Sequence, residues 1–145
     1  MRDIDGQRLL FHGAVVLLIG LVAGLPLAAA ITDGWGDESI HAWRVAHTGL
    51  VGGGVVLIAI AGALRNVRLG ASAGAWLVRS LIGSVYAGVF ALGLGPILGV
   101  RGLEPVPPLG NILVFAANAV LALGSLIATV LLVGGAWAGR SDVRG

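Results

Sequence analysis

The stretch Trp43-Arg-Val-Ala-His-Thr-Gly-Leu-Val-Gly-Gly-Gly-Val-Val-Leu-Ile-Ala-Ile-Ala-Gly-Ala-Leu64 decides the fold class. Its 22 residues carry one full charge, Arg44, and one histidine, His47, both within the first two turns. At 1.5 Å per residue a helix of this length covers about 33 Å, close to the thickness of a bilayer's hydrocarbon core. The remainder is apolar or glycine, with no alternation of polar residues that would make a half-wet strand. The stretch reads as a membrane-spanning helix with a polar outer end.

Composition extends that reading to the whole chain. Of 145 residues, 57% are hydrophobic and 11% charged, and the mean hydropathy is +0.99. Soluble domains carry about 25% charged residues, so there is too little polar surface here to cover a soluble globule. An integral membrane protein is implied. The basic residues are nine arginines, placed mostly at the ends of apolar segments. That pattern is membrane topology and not a phosphate-binding face, so nucleic acid is not an expected partner. The chain has no cysteine, which excludes disulfides, iron–sulfur clusters and thiolate-ligated haem.

Four apolar segments can be drawn, at about 9–31, 43–64, 73–98 and 111–137, each near the roughly 20 residues that a crossing needs. Their connections are short. The first (32–42) is acidic and polar, the second (65–72) basic, and the third (99–110) carries Pro105, Pro107 and Pro108. One all-α, four-helix up-down bundle spanning residues 1–145 is predicted. The first segment ends in Ala28-Ala29-Ala30, like a signal-peptidase site, but no soluble domain follows, and a retained helix is expected. Arg2, Arg8, Arg65, Arg68, Arg140 and Arg144 fall on one side, and Arg44 and Arg101 on the other beside Asp33, Asp37, Glu38 and Glu104. Both termini are therefore expected to be cytoplasmic, in a cell membrane.

Glycine, at 25 residues, is mixed with alanine on every segment. In lipid, small residues let helix backbones approach closely and associate. So small a bundle has little interior for a large cofactor, and one that is bound is expected at a boundary between subunits.

The candidate chemistry centres on His47. A metal-capable group at the edge of hydrocarbon needs a reason, and two readings stand. His47 is a hydrogen-bonding residue between helices, or it is the axial ligand of a haem. The neighbours favour haem. Arg44, three residues earlier, shares its side of the helix and can pair with a propionate, although it is also placed as an interfacial anchor beside Trp43. Gly53 and Gly54, with Gly52, would let a flat group lie against the backbone. His12 should sit roughly 20 Å from His47 along the bundle axis, and His41 falls in the outer connection. One protein ligand and an open sixth position follow, an arrangement suited to binding or activating a ligand.

Other polar residues are few. Asn111 either points into a pocket beside the iron or caps its helix. Tyr86, Ser84 and Asn118 lie nearer the middle of the membrane, where hydrogen bonds between helices are expected. Arg79 is expected to reach for the nearer interface. Asn111 and Tyr86 are the candidate catalytic side chains. No transmembrane carboxylate pair is present for a proton relay, nor a Gly-rich phosphate loop, a zinc helix or a nucleophile elbow.

Several pieces together resemble the styrene oxide isomerases, small four-helix bacterial membrane proteins. They are His12-Gly13, Trp43 with Ala46-His47-Thr48-Gly49, Arg101-Gly102-Leu103, and the Pro-rich turn leading to Gly110-Asn111. The resemblance implies a homotrimer with haem b between subunits and His47 as the iron ligand. It also implies a ferric haem acting as a Lewis acid in a redox-neutral, epoxide-to-aldehyde (Meinwald) rearrangement of a small hydrophobic epoxide. Three positions depart from the family pattern. Gly53 stands where the family has an asparagine, and Ser84 and Leu92 stand where its third helix has an aspartate and a tyrosine; a shifted alignment brings Tyr86 nearer. The alternative is a non-catalytic haem-b protein serving electron transfer, sensing or a larger complex. A haem-free bundle with a packing histidine is the third reading.

Overall fold

A computed structural model describes residues 3–141. These form α1 (Asp3–Val22), α2 (Gly24–Thr32), α3 (Asp37–Ala63), a 3-10 turn (Leu64–Asn66), α4 (Ala71–Leu98) and α5 (Leu109–Ser141), with no strand among them. Four stretches are long and apolar enough to cross a membrane: Ile4–Thr32, Asp37–Asn66, Ala71–Leu98 and Leu109–Arg140. With 28 to 32 residues each, they exceed the roughly 20 that hydrocarbon demands, so their ends project into the interfacial layers.

The helices run beyond the apolar runs for local reasons. The second begins at Asp37, six residues before Trp43. Gly36, at φ +92°, makes the reversal, and Asp37 and Glu38 occupy the first turn, where carboxylates complement the helix dipole. The outer connection therefore shrinks to residues 33–36, and His41, expected in that connection, lies instead on α3. The first span is interrupted at Ala23. Pro26 has no N–H for the carbonyl of Val22, and its ring crowds that carbonyl, so α1 ends there and α2 restarts.

Helix pairing is built on glycine. A Cβ on Gly20 would come within 2.5 Å of the Val51 nitrogen, and one on Gly54 within 2.5 Å of the Leu17 nitrogen. Later residues of α1 thus meet earlier residues of α3 with backbones in contact. Leu9, Leu57, Leu64, Leu77, Val78, Leu81 and Ala128 form the core cluster. Large side chains such as Phe11, Leu25, Val133 and Trp137 are exposed on the outside, as a surface in contact with lipid or another subunit requires.

The ends of the bundle separate the charges. Gly6 lies against Ala61 and Gly139 against the Asn66 carbonyl, and Arg68 N–H donates to Gly135 at 3.0 Å. Arg8, Arg65, Arg68 and Arg140 therefore gather at one end. Arg101 meets Glu38 at the other, at 3.2 Å. Arg2 and Arg144 lie outside the described residues. Arg79 is exposed in α4.

Candidate cofactor site

His47 is half-buried on α3 and faces the break in the first span. Its Nδ1 lies 2.8 Å from the carbonyl oxygen of Gly20. A carbonyl can only accept, so Nδ1 donates, and in the neutral ring Nε2 keeps its lone pair. Gly24 lies beside the same edge of the ring, where a Cβ would lie 3.2 Å from Nδ1 and 3.3 Å from Cε1. Pro26, which interrupts the helix, and Gly24, which makes room for the ring, are the sequence signals for this nest. A histidine whose far nitrogen is tied to a backbone carbonyl is the arrangement found around metal-ligating imidazoles, because it sets the tautomer and the ring orientation.

The neighbours expected around His47 are distributed differently. Arg44 is exposed one turn towards the outer end, and among the described residues its guanidinium has no partner. Gly54 lies on the same face as His47, but the space beside it is filled by Leu17 and the Gly13 carbonyl of α1. It is a helix-packing glycine and offers no room to a flat ligand. Gly53 is open, with nothing within 4 Å of a Cβ, but six residues on from His47 it points roughly 120° away. No open glycine surface lies directly below His47 within one chain.

Both candidate catalytic side chains are committed elsewhere. Asn111 accepts from Gly102 N–H at 2.9 Å and donates to the carbonyls of Glu104 and Val106, each at 2.9 Å. The first helical bonds of α5 run to the Pro108 carbonyl, so Asn111 sits inside the first turn and does not cap it. It staples the loop 99–108. Tyr86 pairs through its hydroxyl with His12 Nδ1 at 2.9 Å, and the two rings meet edge to face. By the contacts of Gly13 with Ile58 and of Gly24 with His47, this pair lies about 15 Å along the axis from His47. Ser84 donates to the Ser80 carbonyl of its own helix at 2.6 Å, not to a neighbouring helix. Asn118 donates to the carbonyls of Arg101 and Gly102 at 3.3 and 3.1 Å, so it too holds the loop.

That loop folds back onto α5 because Gly102, at φ +57°, packs against the backbone of Val114 and Phe115. Behind it lies a cavity of about 550 Å³ between α3, α4 and the loop, with Val45, Ala91, Leu92, Pro96, Leu103 and Asn118 among its walls. Glu38, His41 and Arg101 stand at its outer end. His47, two residues after Val45, is turned roughly 200° around α3 from the cavity wall and does not line it. Among the described residues no group of three or more His, Asp or Glu side chains converges; an axial haem ligand requires only the one histidine.

The styrene oxide isomerase family model matches residues 5–137. The chain belongs to the styrene oxide isomerase family. The match runs from the first turn of α1 almost to the end of α5, so every part of the site described above lies within it. No curated protein matches the chain. Membership makes this a membrane protein of the styrene oxide isomerase type, the family that His12-Gly13, Trp43, Ala46 to Gly49 and Arg101 to Leu103 pointed to.

Proposed function

We propose that the protein binds haem b through His47 and isomerises a small hydrophobic epoxide to a carbonyl compound. One observation carries the reading: Nδ1 of His47 donates to the Gly20 carbonyl, which in the neutral ring leaves Nε2 its lone pair, and the ring is held against Gly24. The donor set fits an axial ligand. Arg44, one turn outward and without a partner among the described residues, would meet a propionate. When bound, the haem iron supplies a Lewis-acidic position for an epoxide oxygen.

The chain's own residues do the rest. His47 is oriented by the Gly20 carbonyl at Nδ1, so Nε2 is the nitrogen that would hold the iron. The hydrocarbon-facing side chains around α1 and α3 exclude water, which would otherwise open the epoxide to a diol. Substrate and product are isomers, so no electrons are added and no donor is needed. Because α1 fills the space beside Gly54, the cofactor would lie against a second subunit. A homotrimer of up-down bundles, as the resemblance implies, supplies one. The arginine-rich end, with Arg8, Arg65, Arg68 and Arg140, would face the cytoplasm of a bacterial cell.

A second reading, a haem-b protein for electron transfer, sensing or service in a larger complex, is favoured by one observation. The candidate substrate-orienting side chains, Asn111 and Tyr86, are both tied into other contacts. The deciding experiment is an absorption spectrum of the detergent-purified protein, ferric and then dithionite-reduced, beside His47→Ala, followed by epoxide turnover without reductant. A Soret band lost in the variant, with carbonyl product formed, supports the isomerase. A Soret band with no turnover of aryl or alkyl epoxides supports the second reading. A colourless wild type after haem is supplied during expression sinks both.

A further inference from the structure

α1 and α4 both start at the arginine-rich end, and the bond between His12 and Tyr86 at 2.9 Å sets their register. Towards that end Leu9 of α1 joins Leu77 and Leu81 of α4 in the core cluster, so the two helices stay adjacent there. Seven residues fall about 20° short of two helical turns. Asp5, seven before His12, and Arg79, seven before Tyr86, are therefore level with each other on the two sides of one seam. Arg8, four before His12, is turned only about 40° from it and stands on the outer lip of α1.

This seam holds charge that is not neutralised. Arg8 and Arg79 are exposed, and among the described residues neither makes an ion pair or a hydrogen bond. Asp5, half-buried, pairs with neither of them. Depth makes the free cations costly. The span Ala71–Leu98 has 28 residues and covers about 42 Å, about 12 Å more than the hydrocarbon core. Arg79, eight residues past Ala71, thus has its backbone about 6 Å inside the hydrocarbon boundary. Trp76, exposed three residues nearer the end, sits where interfacial tryptophans lie. The long side chain of Arg79 extends back to that level, where lipid phosphates are the anions within reach. A guanidinium fork matches a phosphate in geometry as well as charge.

We propose that the mouth of the α1–α4 seam binds one anionic phospholipid, its phosphate held between Arg8 and Arg79. An acyl chain would lie against Gly83, one turn further along α4 from Arg79, where nothing stands within 4 Å of a Cβ. Charge selects the headgroup. Two guanidiniums and the Asp5 carboxylate leave the seam one net positive charge, which phosphatidylglycerol cancels and a zwitterionic lipid does not.

The test is native mass spectrometry of the full chain, delipidated in a neutral detergent and titrated with phosphatidylglycerol, phosphatidylethanolamine and phosphatidylcholine of matched acyl chains. Phosphatidylglycerol should fill one site per chain and bind about tenfold more tightly than either zwitterionic lipid. Arg8→Gln and Arg79→Gln should each weaken it about tenfold or more, the loss of a charged hydrogen bond. Arg140→Gln, at the same end but on α5 and stacked on Trp137, should leave it unchanged. Asp5→Asn should tighten it, and millimolar inorganic phosphate should not displace it. Equal binding of the three lipids overturns the proposal, as does an Arg79→Gln protein that behaves like Arg140→Gln. Displacement by inorganic phosphate overturns it by making the seam a free-anion site. An Arg79→Gln protein that loses a subunit and still binds phosphatidylglycerol normally overturns it by giving the seam to a second copy. Both arginines lie roughly 20 Å or more along the axis from His47, so the result stands whether or not haem is bound.

Discussion

The Nδ1–H of His47 donates to the carbonyl of Gly20 across 2.8 Å, joining the second span to the first at the turn where the first is broken. This contact couples a packing device to the tautomer of His47. Close approach at Gly20, where a Cβ would lie 2.8 Å from the Leu50 carbonyl carbon, brings the acceptor within reach. Whatever separates α1 from α3 also releases His47.

Gly54→Ala should therefore destabilise the fold while Gly53→Ala should not. A methyl at Gly54 would press on Leu17 and the Gly13 carbonyl, and forced overpacking costs about 1–3 kcal/mol. Gly53 meets nothing within 4 Å, and alanine there should help the helix by up to about 1 kcal/mol. Thermal unfolding in detergent of the two adjacent variants checks the contrast; equal behaviour would refute the assignment of Gly54 to the helix contact.

Gly24→Ala tests the nest around His47, and with it the proposed haem site, without removing the imidazole. The added methyl would sit 3.2–3.3 Å from the imidazole and shift the ring by tenths of an ångström. Disturbing such an outer contact typically weakens metal binding about 10–100-fold, so haem retention on dilution should fall by that order. His12→Ala, about 15 Å away by helical rise, should leave the Soret band unchanged.

Tyr86→Phe should leave epoxide turnover at wild-type level. The hydroxyl is spent on His12 Nδ1 at 2.9 Å, and its loss should cost about 1 kcal/mol of stability. A large fall in turnover with unchanged KM would place Tyr86 beside the reacting atoms instead.

Asn111→Ala removes three hydrogen bonds from the loop 99–108 and should cost about 2–3 kcal/mol. Limited proteolysis should then cut within 99–108 before any other outer segment. Asn111→Asp keeps the acceptor for Gly102 N–H but loses both donors, and should fall between the two.

The sequence by itself determined the class of fold: four long apolar runs with arginines at their ends have no stable state except helices in a bilayer, because backbone polar groups find no other partners there. It also singled out His47, since a lone imidazole at the edge of hydrocarbon is improbable without a task. Helix ends were less legible. Hydropathy marks where lipid contact stops, whereas α3 starts where Gly36 turns the chain and Asp37 and Glu38 meet the helix dipole.

Only the tertiary structure decided which faces met. Gly53 and Gly54 are indistinguishable as letters, yet one opens outward and the other is closed by Leu17. Tyr86 was expected to bond between helices and Asn111 to cap its helix or face a pocket, but their partners, His12 and Gly102, are set by how the spans and the loop pack. A helical period of 3.6 residues turns a single step along the chain into 100° around the axis, so the role of each small or polar residue depends on a rotation that only the packed neighbours fix.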